Sequence, residues 1–249
     1  MFGVCKIKAI ILCAGYATRL YPLTLNQPKP LLEVGGKPIV NHLLKKLEEI
    51  NDLDEVFVVT NNKFYSHFED WAKKQESSKK ISVVNDLTTS NEDRLGSLGD
   101  IKFVLDSADV DDNILVVAGD NLFDFSLKPA YDLFKQKNKS VVVLYDVKDF
   151  ELAKHYGIVA VNDKNKMIDF EEKPEKPKST LSSTGIYIYP KEVKDRLIKY
   201  VNENGQNDKA GNFLEMLHKA DDVYCHISQE KWFDIGNLEQ LEEARKVYG

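Results

Sequence analysis

Apolar and polar positions follow two different rhythms along the chain, and the first rhythm fills residues 1–150. Short, continuous apolar runs such as 7–13 and 113–118 are typical of strands buried on both faces of a sheet. Amphipathic segments lie between them, and in 38–50 the apolar side chains recur at the spacing of one helix face. The pattern predicts strands over 7–13, 55–60, 81–85, 113–118 and 140–146, and helices over 38–50, 64–74, 98–105 and 128–137.

The rhythm changes after about residue 150, where short strands follow one another with little helix between them. We expect strands over 158–161, 167–172, 182–189 and 223–227, and helices over 191–203, 212–219 and 238–248. The alternation of strands and helices indicates an α/β fold, with a Rossmann-like, mixed, mostly parallel sheet and helices on both faces. We expect one domain over 1–249, with a nucleotide-binding half to about residue 150 and a second half over 151–249 on the same sheet.

Composition narrows the functional classes. The chain has 249 residues, of which 43% are hydrophobic and 30% charged, and its formal net charge is −6. These values are typical of a folded globular protein. Because the chain has no basic block, we expect neither a nucleic-acid partner nor an anionic membrane partner. The longest apolar run, Ala9 to Ala14, is too short to span a bilayer.

The cysteines and the first residues indicate the cellular compartment. Cys5, Cys13 and Cys225 cannot all pair, and the chain contains no Cys-x-x-Cys motif. This argues against a disulfide scaffold and against a cysteine-based zinc site. The segment from Met1 to Lys8 carries no secretory signal. We therefore expect a cytoplasmic protein.

The segment after the first predicted strand combines several features of an anion site. Ligands of an open parallel sheet bind beyond the carboxyl ends of its strands. Gly15 allows a tight turn there, while Arg19 and Lys29 bring two cations, and Pro28 and Pro30 stiffen the chain around Lys29. Each feature alone is more typical of a surface charge or an ordinary turn, but the whole string suits a triphosphate. Its glycines match neither the dinucleotide-binding pattern nor the P-loop.

The same string resembles the opening signature of the sugar-1-phosphate nucleotidyltransferase family. The matching positions are Leu12, Gly15, Thr18, Arg19, Leu20, Pro22, Leu23, Thr24 and Pro28 to Leu31. The resemblance implies the nucleotide-diphospho-sugar transferase fold and catalytic roles for Arg19 and Lys29. The positions that it assigns to the nucleotide are Leu12, Ala14, Gly15 and Thr18. Ala17 replaces a family glycine, which is tolerable provided that the backbone there does not adopt a positive φ.

Two aspartates are candidate metal ligands. Asp120 follows the buried run 113–118 directly after a glycine, a position that suits a hard cation in the ligand crevice. Asp120 also resembles the Gly-Asp metal ligand of the family, and Asp234 lies in a segment that resembles its Trp-x-Asp-x-Gly element. The resemblance therefore implies that both carboxylates bind Mg²⁺. The alternative for each aspartate is a cap or turn residue.

Three further elements are implied to bind the sugar phosphate. Gly157 lies in a Tyr-Gly-Ile element that resembles the Tyr-Gly-Val element of the family, whose glycine backbone approaches the sugar. Glu172 and Lys173 belong to a Glu-Lys-Pro motif. There, Glu172 would accept hydrogen bonds from sugar hydroxyls and Lys173 would bind the phosphate. Thr184 and Gly185 match the strand that closes the sugar pocket.

The segment that would contact the base or ribose departs from the family pattern. Gly96 and Ser97 resemble a Gly-Thr pair of relatives, with serine in place of threonine, and Asn91 stands where some relatives place a base-contacting Gln or Glu. Arg94 occupies a position at which many relatives have proline, and Asp100 one at which they have a small residue. These changes leave the choice of nucleotide open.

The resemblance implies the reaction NTP + sugar 1-phosphate → NDP-sugar + pyrophosphate. The attacking phosphate oxygen is already ionised at neutral pH, so the reaction needs no general base. The histidines agree with this, because none lies in a motif and each is expected at the surface or in a structural position: His42, His67, His155, His218 and His226. By analogy with the family, we expect glucose 1-phosphate with dTTP or UTP.

Other activities remain as alternatives. The first is a cytidylyltransferase that acts on an alcohol phosphate such as phosphocholine, and the second is a non-catalytic nucleotide-sensing subunit of the same fold. A hydride-transfer enzyme fits poorly because the glycine pattern is wrong. Two-fold symmetric dimers are the commonest assembly of soluble enzymes, so a homodimer is the default expectation.

Overall fold

A computed structural model describes residues 6–205 and 209–249, so Cys5 and the rest of the segment Met1–Cys5 lie outside the described residues. The strands are β1 (Ile7–Leu12), β2 (Glu33–Val34), β3 (Lys37–Pro38), β4 (Leu53–Thr60), β5 (Lys80–Asn85), β6 (Asn113–Ala118), β7 (Asn121–Phe123), β8 (Ser140–Asp146), β9 (Gly157–Val161), β10 (Met167–Glu172), β11 (Leu181–Tyr189), β12 (Val223–Ser228) and β13 (Trp232–Asp234). The α-helices are α1 (Ile39–Leu47), α2 (Tyr65–Ala72), α3 (Gly96–Ser107), α4 (Lys128–Lys137), α5 (Phe150–Ala153), α6 (Lys194–Asn204), α7 (Ala210–Ala220) and α8 (Leu238–Tyr248). Single turns of 3-10 helix lie at Thr18–Leu20, Lys29–Leu31 and Lys191–Val193.

A mixed sheet of nine strands forms the centre of the fold. Strands β5, β4, β1 and β6 lie side by side in that order and run parallel. Strand β11 runs antiparallel to β6 on one side and to β8 on the other, and β12 pairs with β8 in parallel. The antiparallel hairpin of β9 and β10 completes the sheet. The predicted α/β fold with a mixed, mostly parallel sheet is thus confirmed.

Apolar cores cover both faces of this sheet. Alternate residues of β1 enter different cores, with Ile7 and Ile11 in one and Ile10 in the other. Helices α1, α2 and α4 pack into the first core, and α3, α6 and α7 pack into the second. Because both faces are buried, the strand segments of the sequence are almost continuously apolar.

A third, smaller cluster joins distant parts of the chain. Leu20 from the loop after β1 packs with Leu122 of β7, Ile235 after β13 and Leu241 of α8. Each of these four side chains is at most 1% exposed. This packing carries the loop that bears Arg19 towards the end of β13.

Two strands, β6 and β9, pair with the same edge of β11, and an opening lies between them. Tyr187 pairs with Val116 of β6 and with Val142 of β8, whereas Ser182 pairs with β8 and with Ile158 of β9. Strands β6 and β9 therefore lie end to end along the edge of β11 opposite β8. Residues 183–185 fall between the two pairings, where Gly185 has a φ of +74° and the register with β8 shifts. The opening lies beside the carboxyl end of β6.

The sequence predicts the long elements and misses the short ones. The predicted segments 113–118, 128–137, 140–146, 167–172 and 238–248 have the observed bounds. The predicted helix over 191–203 begins with a 3-10 turn before α6. Strands of two or three residues, such as β7 and β13, and the short helix α5 are too brief to show a periodicity. Within the described residues, no helix is both long enough and apolar enough to cross a membrane.

Candidate active site

Asp120 and Asp234 lie together because two short strands pair. Asp120 stands between β6 and β7, and Asp234 ends β13. Strands β7 and β13 run antiparallel with Asn121 opposite Asp234, and Ile235 donates its backbone N–H to the Asp120 carbonyl oxygen over 3.1 Å. Both aspartates therefore stand at the carboxyl end of the central parallel strands, where open α/β sheets bind their ligands.

The environment of Asp234 is electrostatically strained. Burial, together with the charge of Asp120, raises the pKa of Asp234 to about 6. The positive charges of Lys29, Arg19 and Lys173 act in the opposite direction. Two partly buried carboxylates repel each other, and a bound cation relieves that repulsion.

Lys29 forms an ion pair at the same place. Its Nζ donates hydrogen bonds to Oδ2 of Asp120 over 2.7 Å and to the carbonyl oxygen of Ile235 over 2.8 Å. Its side chain is only 14% exposed, since the flanking residues Pro28 and Pro30 are buried and fix the 3-10 turn. The sequence-predicted cation and the sequence-predicted metal ligand are thus in direct contact.

The two carboxylates fit a Mg²⁺ ion that is shared with phosphate oxygens. Across 6–205 and 209–249, no group of three or more His, Cys, Asp or Glu side chains could hold a metal ion. Mg²⁺ is commonly bound by one or two protein carboxylates together with substrate phosphates and water. Asp120 and Asp234 supply that number of carboxylates, so the donor set suits an ion that arrives with a nucleotide.

The loop after β1 places Arg19 near Asp234. Gly15, Thr18 and Arg19 are exposed. The guanidinium of Arg19 approaches Gly236, and its Nη2 lies 3.7 Å from the position that a Cβ would take there. The position also explains why the charge of Arg19 lowers the pKa of Asp234.

The backbone at Ala17 adopts a positive φ, so alanine does not easily replace the family glycine there. Ala17 has a φ of 49° and lies in the left-handed region. The condition that we set for tolerating its methyl group therefore does not hold, and alanine is strained at this position. The carbonyl oxygen of Ala17 accepts a hydrogen bond from the Thr24 hydroxyl over 2.8 Å, which holds the loop in this conformation. The neighbouring residue Ala14 is buried, and its carbonyl oxygen accepts a hydrogen bond from Asn61 Nδ2 over 2.8 Å.

A cleft of about 250 Å³ opens between the carboxyl end of β6 and the β9–β10 hairpin. The predicted site residues that line it are Leu12, Ser97, Asp120, Gly157, Glu172, Lys173, Thr184, Gly185 and Asp234. The predicted residues that lie outside its lining are Ala14, Gly15, Thr18, Arg19, Lys29, Asn91 and Gly96. Lys29 touches the lining through Asp120. The residues that the sequence analysis expects to bind the sugar phosphate and the two aspartates thus line one cleft.

Glu172 occupies a narrow slot between two glycines. A Cβ at Gly157 would lie 3.1 Å from Oε2 of Glu172, and one at Gly211 would lie 2.8 Å from the same oxygen. The ring of Phe170, two residues earlier on β10, fills the rest of the slot and would meet both Cβ atoms at 2.8 Å or less. Lys209 donates a hydrogen bond to the other carboxylate oxygen, Oε1, over 3.0 Å.

The predicted base-contacting residues lie around the start of α3. Gly96 begins the helix with a φ of +75°. The Ser97 hydroxyl accepts a hydrogen bond from the backbone N–H of Ala210 over 2.9 Å, which ties the start of α3 to the start of α7. Asn91 lies in the loop before the helix, and its carbonyl oxygen accepts a hydrogen bond from the Arg94 guanidinium over 2.6 Å.

Asp100, one of the departures from the family pattern, forms a buried carboxyl pair with Asp86. Burial and the charge of Asp86 raise the pKa of Asp100 to about 8, and burial also raises the pKa of Asp86. A hydrogen bond between two carboxyl groups needs a proton on one of them. Because its pKa is raised to about 8, Asp100 keeps that proton at neutral pH. Asp86 Oδ1 accepts hydrogen bonds from Thr88 N and Oγ1, each over 2.8 Å. The Tyr16 hydroxyl lies 3.4 Å from Thr88 Oγ1, so the pair is linked to the loop after β1.

Several cleft residues had no role in the sequence analysis. Asn121 is 1% exposed, donates a hydrogen bond to the Thr184 carbonyl oxygen over 2.6 Å and accepts one from Trp232 Nε1 over 3.0 Å. The rings of Trp232 and Tyr156 lie 5.2 Å apart. His155 also lines the cleft and is exposed, which agrees with a surface position. Trp232 belongs to the Trp-x-Asp-x-Gly element that identified Asp234, so the same motif could have predicted its place in the site.

Lys209 and Gly211 were also missed, and the sequence holds no local signal for them. They stand at the start of α7, and they reach the cleft only because this helix packs on β10. Neither residue belongs to a motif that the sequence analysis recognised. Their contacts with Glu172 come from tertiary packing alone.

The fold and the site define an α/β protein with paired carboxylates and a lysine at the ligand-binding end of its sheet. The chain belongs to the nucleotidyl transferase family, whose model matches residues 8–249. The resemblance to the sugar-1-phosphate nucleotidyltransferases is thereby confirmed.

Known proteins resemble the chain in sequence and in fold. The bifunctional protein GlmU of Methanocaldococcus jannaschii is 32% identical over 245 residues, which cover 96% of this chain and 54% of that protein. The UTP–glucose-1-phosphate uridylyltransferase of Synechocystis sp. is 30% identical over 249 residues, covering 96% of this chain and 62% of that protein. The chain therefore spans between 54% and 62% of the length of these two curated relatives. A crystal structure of UDP-glucose pyrophosphorylase complexed with UDP-glucose shares the fold, with a TM-score of 0.81, 21% identity and coverage of 98% of both chains.

Proposed function

We propose that the chain catalyses NTP + sugar 1-phosphate → NDP-sugar + pyrophosphate, with glucose 1-phosphate and with dTTP or UTP as the substrates. The observation that supports this most directly is the arrangement of Lys29, Asp120 and Asp234 at the mouth of the cleft that contains Glu172 and Lys173. Cations and metal-binding carboxylates stand at one end of the cleft, and groups suited to a sugar phosphate line the remainder. The name of one curated relative, UTP–glucose-1-phosphate uridylyltransferase, supports this substrate class.

The main obstacle to this reaction is the approach of two polyanions. Lys29 and Arg19 would hold the triphosphate, and Lys173 would hold the sugar phosphate, so that an ionised phosphate oxygen faces the α-phosphorus in line. Asp120 and Asp234 would hold Mg²⁺, which supplies positive charge to the phosphate oxygens. Because Lys29 is held by Asp120, it must change partners to reach a phosphate.

Both halves of the chain contribute to this site, and we place the whole activity in one domain. Leu12, Ser97 and Asp120 come from the half before residue 150, while Glu172 and Asp234 come from the half over 151–249. The nucleotide would bind mainly to the first half and the sugar phosphate mainly to the second. A cytoplasmic location and a homodimer complete the proposal, since free nucleotide substrates are cytoplasmic and closed dimers are the commonest enzyme assembly.

The test is a pyrophosphate-release assay with Mg²⁺ across dTTP, UTP, CTP, GTP and ATP, each with a panel of hexose 1-phosphates and with phosphocholine. Release that requires both glucose 1-phosphate and dTTP or UTP would support the proposal and name the base. The Asp120→Asn variant should be inactive, whereas the matched control Asp111→Asn, at an exposed position, should retain full activity. Silence of the folded wild-type protein across the panel would refute the catalytic roles.

One observation favours a second candidate function, transfer of CMP to phosphocholine. The rings of Trp232 and Tyr156 line the same cleft as Asp234 and Glu172, and such an aromatic and acidic environment suits a quaternary ammonium group. Lys173 also lines the cleft and repels that cation. Release that depends on CTP and phosphocholine would decide for this candidate.

A further inference from the structure

The carboxylate of Glu172 is held from two sides. Its side chain is 23% exposed. One oxygen lies in the slot between Gly157 and Gly211, and the other accepts a hydrogen bond from Lys209 over 3.0 Å. A glutamate side chain has several rotatable bonds, and fixing it before a ligand arrives reduces the entropy that binding costs.

The two holding contacts restrict different motions. Oε2 lies against Gly157 and Gly211 in space that a Cβ at either position would crowd, so the two glycines confine this oxygen to the slot between them. The ammonium of Lys209 restricts the rotation of the carboxylate by attracting Oε1. Together they present one carboxylate in one orientation to the cleft.

We propose that Lys209 is a positioning residue for the sugar, which acts by holding Glu172 in the orientation that accepts hydrogen bonds from the hydroxyls of a hexose 1-phosphate. This inference rests on the proposed function. It adds Lys209, the residue before α7, to the motifs on β9, β10 and β11 that are proposed to bind the sugar phosphate. Lys209 need not touch the sugar, since its effect passes through Glu172.

The position of Lys209 predicts a specific kinetic signature. Its side chain is 58% exposed, and ion pairs of that exposure contribute up to about 1 kcal/mol, which corresponds to about a fivefold change in an equilibrium constant. Loss of the ammonium should therefore raise KM for the sugar 1-phosphate about fivefold. The KM for the nucleoside triphosphate should stay within twofold, because Lys29 and Arg19 lie outside the lining of the cleft, beside Asp120 and Gly236.

The experiment compares Lys209→Met, Lys209→Arg and Lys219→Met in steady-state assays in which each substrate is varied in turn. Lys219 lies near the other end of α7 and pairs with Glu215 over 2.8 Å, so Lys219→Met removes the same charge and a similar ion pair away from the cleft. We expect a raised sugar KM in Lys209→Met, recovery in Lys209→Arg and wild-type values in Lys219→Met. In the Glu172→Gln background, Lys209→Met should add less than a further twofold to the sugar KM.

The outcomes separate this inference from the proposed function. An active wild-type enzyme whose Lys209→Met variant keeps its sugar KM, or changes the KM of both substrates equally, would overturn the role of Lys209 and leave the reaction standing. Full additivity with Glu172→Gln would also overturn it, since the effect would then not pass through Glu172. A wild-type enzyme that is inactive with every hexose 1-phosphate would refute the proposed function, and the role of Lys209 with it.

Discussion

The ammonium of Lys29 lies 2.7 Å from Oδ2 of Asp120, although the two residues are 91 positions apart in the sequence. The contact places a cation directly on a carboxylate that we propose as a metal ligand. Because Asp234 is close enough for the charge of Asp120 to raise its pKa, the lysine offsets part of a local excess of negative charge. A metal ion held by the two aspartates would supply that compensation instead, and Lys29 would then be free to bind a phosphate group.

Replacement of Lys29 by methionine should lower kcat/KM by about 10²-fold, the scale on which a single electrostatic stabiliser of a transition state acts. The matched control is Lys45→Met, on the exposed face of α1, which should retain wild-type activity. Steady-state kinetics with saturating Mg²⁺ would measure both. A Lys29→Met enzyme within tenfold of wild type would contradict the assignment.

Trp232 should report ligand binding through its fluorescence. It lines the cleft, donates a hydrogen bond to Asn121 and contacts the rings of Tyr156 and Tyr145 at 5.2 and 5.7 Å. The chain has two tryptophans, and the other, Trp71, is buried in the first core. In a Trp71→Phe variant, titration with a product nucleotide sugar should therefore change the emission in a saturable way.

The control for this titration is the Trp232→Phe variant, in which only Trp71 emits. Its fluorescence should not respond to the ligand. A response of equal size in that variant would show that the signal arises in the core and not in the cleft.

The long elements of the fold and the position of Asp120 were predictable for a physical reason. Asp120 follows a strand that is buried on both faces, so its apolar run marks where the chain reaches the ligand edge of the sheet. Asp234 could be found only by its motif, because the strand that positions it has three residues and no periodicity. The pairing of Asp234 opposite Asn121 appears only in the folded chain.

The remaining site residues depend on contacts between elements that are distant in sequence. Lys209 meets Glu172 because α7 packs on β10, and nothing near either residue encodes that contact. Asp100 appeared in the sequence only as a departure from the family pattern, and its partner Asp86 had no signal at all. The conformation of Ala17 was likewise invisible, since a backbone angle cannot be read from a residue that also suits ordinary φ values.

Replacement of Ala17 by glycine should stabilise the protein. The left-handed conformation costs alanine about 1–2 kcal/mol, while the greater freedom of glycine in the unfolded chain returns about 0.4–1 kcal/mol of that gain. We expect the free energy of unfolding in urea to rise by about 0.5–1 kcal/mol. The control is Ala72→Gly at the end of α2, where the helical backbone makes the same change unfavourable. A loss of stability in Ala17→Gly would show that the methyl group has packing worth more than the strain.

The carboxyl pair of Asp86 and Asp100 should make the stability of the fold fall as pH rises. The pKa of Asp100 is raised to about 8, whereas an aspartate of the unfolded chain titrates near pH 3.9. Between these values the folded protein holds a proton that the unfolded chain has lost, so the pair contributes less to the free energy of unfolding with each rise in pH until the folded pKa is passed. Asp100→Asn keeps a hydrogen-bond donor for Asp86 and removes this titration.

We therefore compare the free energies of unfolding of Asp100→Asn and wild type at pH 5 and at pH 9, in urea unfolding followed by circular dichroism. As pH rises from 5 to 9, the difference should shift in favour of the variant by about 1 kcal/mol or more. The matched control is Asp106→Asn on the same helix, where the side chain is 48% exposed and pairs with Lys102. Its difference from wild type should be the same at both pH values, because this side chain takes no part in the buried carboxyl pair. Parallel stability curves for wild type and Asp100→Asn would mean that the two buried carboxyl groups share no proton, and the link from α3 through Thr88 to Tyr16 would then need another source of stability.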